Sequence, residues 1–161
     1  MTTAQYNQCV DKYSDGVYRF ILKNIRDEEK ARDVVQDSFE KMWMKVEEVS
    51  FEKARAYLFT TAYRTMIDSI RKDKHLAPLE ASNMNDQSYE SEYSGLKEIL
   101  EKALLRLPSD QRSVVLLRDY EGYSYQEIGE ITGLNEAQVK VYIYRARVFL
   151  KRYLGRVDAV I

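Results

Sequence analysis

Residues 124–154 read SYQEIGEITGLNEAQVKVYIYRARVFLKRYL, and they point to a helix-turn-helix. Ser124 stands three residues before Glu127, and Asn135 three before Gln138. In each pair the first side chain can cap the early backbone N–H groups, while the second reaches back to the cap's own N–H. Between the two predicted helices lies Thr132-Gly133-Leu134, where glycine can take the positive φ that ends one helix and turns the chain. The second helix has an apolar face at Val139, Ile143, Ala146 and Leu150, which must pack inward. One residue on, Lys140, Tyr144, Arg147 and Lys151 form an outer stripe. From Val139 to Val157 the charged residues are all basic: Lys140, Arg145, Arg147, Lys151, Arg152 and Arg156. A short helix, a tight turn and a longer basic helix suit recognition of a DNA major groove. The competing reading is a basic face that is merely solvated.

Working outward, the 161-residue chain is long enough for one medium or two small domains. Its apolar and charged fractions are those of a well-packed, soluble helical protein, with only Pro78 and Pro108 as prolines. No apolar run of about 18 residues predicts a membrane span, and the first residues lack the apolar core of a signal peptide. The cytoplasm is the expected compartment. The single cysteine, Cys9, excludes an internal disulfide and a zinc cluster, and it falls on an apolar helix face. The lone histidine, His75, has no catalytic companions, so no catalytic residue, metal site or cofactor is expected.

The chain is expected to be all-α, with two small helical domains joined by a flexible acidic linker. The first domain, residues 1–74, has a helix carrying Tyr6, Val10, Tyr13, Val17, Phe20 and Ile21. A second runs from an Asp27 cap to about Val46, with an apolar ladder at Ala31, Val34, Val35, Phe39, Met42, Trp43 and Val46. A third spans about Lys53–Lys74. The linker, residues 75–95, holds Glu80, Asp86, Glu90 and Glu92 and no Lys or Arg. The second domain, residues 96–161, opens with a helix ending at Pro108, then one that Ser109 can cap, then the helix-turn-helix. Net charge is −1, unusual for a free DNA-binding protein, so much of the non-specific affinity must come from a partner.

This arrangement resembles the extracytoplasmic-function (ECF) group of bacterial RNA polymerase sigma factors. ARDVVQDSFEKMW at 31–43 resembles region 2.2 of that family, and YLFTTAYRTMIDSIRK at 57–72 resembles regions 2.3 and 2.4. LPSDQRSVVLLRDYEGYSYQEIGEITG at 107–133 resembles region 4.1 running into 4.2, and VKVYIYRAR at 139–147 its recognition helix. The resemblance implies a specificity subunit rather than an enzyme. Its partners would be core RNA polymerase (through the β′ clamp coiled coil and the β flap), promoter DNA and an anti-sigma factor.

Carried over by position, Asp33, Gln36, Asp37 and Glu40 would bind core polymerase, with Glu29 and Lys41 left in solvent. For the −35 element, Lys140, Val141, Tyr144 and Arg145 would face the major groove, with Arg147 and Lys151 on phosphates. The N-terminus of the helix starting at Ser124 can meet another phosphate. For the −10 element the resemblance implies Phe51, Lys53, Arg55, Arg64, Arg71, Lys72 and Lys74. The turn 49–55 would capture an unstacked base; Phe51 is either its stacking surface or an ordinary core anchor. Tyr57, Arg64 and Gly129 depart from the Trp, Asn and Ala that the family often has there. The linker must stretch: as a coil it spans only ~25–30 Å, against the ~34–68 Å of one to two DNA turns. The alternatives outside this family are a stand-alone helix-turn-helix regulator and a helical adaptor.

Overall fold

The computed structural model describes residues 1–76 and 95–160, and among them there is no strand. The stretch expected to be the acidic linker lies almost wholly outside the described residues. Helix α1 spans Thr3–Ile25, α2 Glu28–Met44 and α3 Ala54–Leu76, with a 3-10 turn at Phe51–Lys53 leading into α3. Helix α4 spans Gly95–Arg106 and α5 Ser109–Val115. The latter runs on into a π-helical turn, Leu116–Tyr120, before α6, Tyr125–Thr132, and α7, Glu136–Val160. No helix among the described residues is long and apolar enough to cross a membrane. No group of His, Cys, Asp and Glu there could hold a metal ion.

Local sequence sets most helix ends. Thr2 and Gln5 close a capping box at the start of α1. Arg26 then takes a left-handed conformation (φ 54°), and its N–H closes on Leu22 O at 2.7 Å. Asp27 Oδ1 accepts from Lys30 N at 3.1 Å and starts α2, so two residues turn one helix into the next. Further on, α5 begins differently from expectation. Pro108 is its N-cap, Ser109 is already helical, and no side chain caps the helix. Proline fixes φ (−55° here) and leaves no N–H of its own to satisfy.

In the first bundle Val17, Phe20 and Ile21 of α1 meet Val34, Phe39 and Met42 of α2 and Leu58, Phe59 and Met66 of α3. Trp43 departs from the expected ladder: it is 47% exposed and packs its ring edge-on against Tyr6, 5.0 Å between centroids. Tyr6 also donates to Phe39 O at 2.8 Å, which fastens α1 across α2. Cys9 is buried as expected, and burial pushes its thiol pKa up, away from the reactive thiolate. The second bundle closes around Leu104, Val114, Leu117, Ile128, Val139 and Ile143.

The two bundles are docked. Helix α3 packs on α6, and α1 on α4 and α5. The Phe20 ring touches Phe59 (5.6 Å), and Phe59 meets Tyr123 edge-on (5.4 Å), so one apolar cluster runs through both halves.

Candidate nucleic-acid interface

Both capping boxes of the helix-turn-helix form. Ser124 Oγ accepts from Glu127 N at 3.1 Å, and Glu127 Oε1 accepts from Ser124 N at 2.8 Å. Asn135 Oδ1 accepts from Gln138 N at 2.8 Å, and Gln138 Oε1 from Asn135 N at 3.0 Å. Ser124 thus takes the Glu127 N–H, and a carboxylate stands at this helix end where a phosphate contact was expected. Gly133 ends α6 at φ 83°. Gly129 has a separate reason to lack a side chain: a Cβ there would stand 2.8 Å from the carbonyl oxygen of Leu134. The turn therefore folds back onto the backbone of α6.

Burial of Val139, Ile143 and Ala146 orients α7. Its opposite face presents Lys140, Val141, Tyr144, Arg145, Arg147 and Lys151, all exposed. Tyr144 is 69% and Val141 44% exposed, so both side chains are open to a ligand along the basic stripe. Lys140 is 3.7 Å from Glu136 one turn earlier and lies over the Tyr125 ring. Arg147 differs from the rest of the stripe. Its Nε and Nη2 donate to the two oxygens of Asp119 at 3.1 and 2.5 Å. This bidentate bond holds the guanidinium pKa above its ordinary value.

In the first bundle, Phe51 is 39% exposed at the mouth of a small cavity beside Gln8, Cys9, Lys12 and Tyr13. Lys53, Arg64, Arg71 and Lys72 are exposed, and the Lys74 side chain is outside the described residues. Arg55 is not free. Its guanidinium lies 4.3 Å from the centroid of Tyr123 and 5.2 Å from that of Phe59, and its Nη2 donates to Glu121 O at 2.8 Å.

Asp33, Gln36, Asp37 and Glu40 lie exposed along α2 and line one wall of a polar groove of about 490 Å³ between α2 and α3. Lys72 lines the other wall, so one −10 candidate shares a groove with the core-binding candidates. Lys41 stays exposed, as expected, and its Nζ donates to Thr65 Oγ1 of α3 at 3.2 Å. An ion pair, Lys30 with Asp73, joins the same two helices.

Sequence reasoning missed the polar residues between the bundles. Asn24 is 3% exposed: its Nδ2 donates to Phe20 O, and its Oδ1 accepts from Ser113 Oγ at 2.9 Å. Arg112 donates to Asn24 O, Leu104 O, Leu105 O and Leu107 O at 2.9–3.2 Å. It satisfies the last carbonyls of α4 and ties them to α1. Burial pushes its pKa below the usual arginine value without leaving it unpaired. The Glu121 side chain, 3% exposed, meets Arg19 at 3.2 Å and Arg55 at 3.7 Å. Glu101 meets Arg26 at 3.1 Å and Lys23 at 3.5 Å. Among the described residues the buried Tyr123 hydroxyl has no hydrogen-bond partner. A polar residue at Asn24, one turn after Phe20 on an apolar face, was the available signal.

A family model described as Sigma-70 region 2 matches residues 9–75, and one described as Sigma-70, region 4 matches residues 97–150. The chain is 29% identical over 158 residues to RNA polymerase sigma factor SigV of Bacillus subtilis, covering 98% of this chain and 95% of that one. It is 27% identical to ECF RNA polymerase sigma factor SigM of the same organism, covering 89% and 91%. Among solved structures it is similar to the sigma factor RpoE in complex with the anti-sigma factor NepR from Bartonella quintana. That similarity has a TM-score of 0.80 at 25% identity over 93% of this chain and 96% of that one. CnrH in complex with the cytosolic domain of CnrY shares the fold, with a TM-score of 0.71 at 22% identity over 94% and 88%.

Proposed function

Because the chain belongs to the sigma-70 family of RNA polymerase sigma factors, in its extracytoplasmic-function group, we propose that it binds core polymerase and directs initiation at promoters with a particular pair of elements. It acts with the polymerase in the cytoplasm as a specificity subunit, not as an enzyme. Region 2 occupies residues 1–74 and region 4 residues 96–161, joined by 75–95.

The observation that carries this reading is the exposed stripe on α7, set at a fixed angle by two capping boxes and Gly133. Lys140 and Arg145 can donate to guanine O6 and N7, Val141 can press on a thymine methyl, and Tyr144 offers a base edge or sugar contact. Lys151 holds a phosphate, and Arg147 does so once Asp119 releases it. Phe51, Lys53, Arg64, Arg71, Lys72 and Lys74 serve the −10 strand, with Arg55 joining them in the bound form. Asp33, Gln36, Asp37 and Glu40 meet the β′ clamp coiled coil, and region 4 meets the β flap. An anti-sigma factor is an expected partner, as the similar RpoE is in complex with the anti-sigma factor NepR.

Run-off transcription on genomic fragments with purified core polymerase tests the reading. Discrete transcripts absent from core alone are expected. Transcripts no different from core alone would refute it. Asp33→Ala with Asp37→Ala should weaken co-purification with core while leaving the circular dichroism unchanged. Undiminished retention removes this face from the interface.

A further inference from the structure

Tyr125, the first residue of α6, is half-buried, and two cations lie over its ring. The guanidinium carbon of Arg118 is 4.8 Å from the ring centroid and Lys140 Nζ is 5.6 Å from it. The face of an aromatic ring attracts a cation at these distances. The two cations are not equivalent. Arg118 is tied down: it is half-buried in the π-helical turn, and its Nη1 donates to Tyr123 O at 2.9 Å. Lys140 is exposed near the start of α7 and carries its charge on a flexible stem. Its printed ion pair is with Glu136 one turn earlier, at 3.7 Å, and an exposed pair of that kind holds a lysine only weakly. The ring, fixed by Arg118, adds a second hold from another helix. Tyr125 also reaches along α7. The bond to Asp119 is the first cause that raises the Arg147 pKa, and Tyr125 adds to it. Lys140 and Arg147 are seven residues apart, which puts them two turns apart on one face of α7. One aromatic side chain of α6 therefore lies against two cations of the α7 stripe.

We propose that Tyr125 is a positioning residue for −35 reading: its ring, held by Arg118, fixes the ammonium of Lys140 so that Lys140 meets a base edge rather than the nearest phosphate. A lysine reads guanine O6 and N7 as a point charge, with no planar fork to set its direction. Free on its stem, it would neutralise any phosphate within reach, which adds affinity for every sequence alike. Held over the ring and beside Glu136, it gives up that freedom before DNA arrives, so a correctly placed base gains the contact at a lower entropic cost. Tyr125 then contributes to discrimination between sequences and little to total affinity. This deepens the assignment of Lys140 to a base edge and rests on it.

The test object is the polymerase holoenzyme formed with the full chain. Its base preferences are read by selection from fragments of a promoter found by run-off transcription, randomised over the −35 region. Lys140→Ala should relax the preference at one position. Tyr125→Leu keeps an apolar side chain behind the Ser124 cap and should relax that same position severalfold, with total affinity for the pool unchanged. Adding Lys140→Ala to Tyr125→Leu should relax it no further. Tyr125→Phe keeps the ring and should retain the wild-type preference. Thermal melts of the free variants accompany the selection. General destabilisation would lower binding across the whole pool and would not single out the Lys140 position. Unchanged preferences in Tyr125→Leu, or preferences relaxed only at positions that Lys140→Ala leaves alone, would overturn the positioning role and leave the assignment of Lys140 standing. Wild-type preferences in the Lys140→Ala holoenzyme would instead remove that assignment, and the positioning role with it.

Discussion

Helix α7 and the start of α3 both carry residues proposed to meet DNA, and Arg55 at the start of α3 meets solvent on different terms from the stripe of α7. On α7, Val141, Tyr144 and Arg145 stand exposed beside a buried stripe on the same helix. At the start of α3, Arg55 is stacked on Tyr123 and bonded to Glu121 from the other bundle. One face is ready as soon as its own helix folds. At the other, Phe51, Lys53, Arg64, Arg71 and Lys72 stand exposed, and Arg55 is the one held by a contact with the other bundle. The difference teaches that a basic residue on a helix face is defined by what faces it as much as by its position.

The comparison can be broken most severely at Arg112, which joins α4, α5 and α1. Arg112→Ala strands several carbonyls and should cost about 3 kcal/mol. In a chain of this length that lowers the Tm by roughly 6–12 °C. A thermal melt with an unchanged midpoint would show that these bonds are replaced by water at no cost. The same variant loosens the seam, since one of its bonds crosses to Asn24.

Next in size is the reading by α7 itself. Arg145→Ala or Lys140→Ala should reduce discrimination between matched and mismatched −35 sequences by about 1–3 kcal/mol per lost base contact. Arg147→Ala should weaken all promoters alike. Competition binding of the polymerase holoenzyme to both kinds of template distinguishes these outcomes. Equal losses on both templates for all three variants would erase the division of roles along the helix.

A smaller net effect is expected at Gly129, where two terms oppose each other. Alanine improves helix propensity by about 1 kcal/mol. Its Cβ, however, would lie 2.8 Å from Leu134 O, and overpacking of this kind costs about 1–3 kcal/mol. Net destabilisation of about 1 kcal/mol should appear in denaturant unfolding. A stabilised Gly129→Ala protein would mean that the turn relaxes to accept it.

The smallest effect on stability belongs to Asp119→Ala, under about 1 kcal/mol for an exposed pair. Its informative consequence lies in DNA binding. Freeing Arg147 should tighten binding to any sequence and steepen the dependence of log affinity on log salt by about one. No change in slope would show that Arg147 already exchanges Asp119 for phosphate in the wild type.

Much of this molecule was legible along the chain. The helix-turn-helix followed from pairs three residues apart, Ser124 with Glu127 and Asn135 with Gln138, which form as expected. The groove face of α2 and the exposed stripe of α7 followed from helical periodicity. Where reading failed, a neighbour had intervened. Trp43 fits the apolar ladder of α2 but lies at its edge against Tyr6. Ser109 looked like a cap, but Pro108 already held that position.

Caps, faces and turns are therefore what the sequence by itself determined, because each depends on residues within one or two helical turns. The tertiary structure alone decided that Arg19 meets Glu121 across 102 residues, Ser113 meets Asn24 across 89, and Arg55 meets Glu121 across 66. No periodicity encodes such pairs. A charged side chain on a helix face is compatible with solvent, with DNA or with an opposite charge, and only the packing of α1 and α3 against α4, α5 and α6 selects among them.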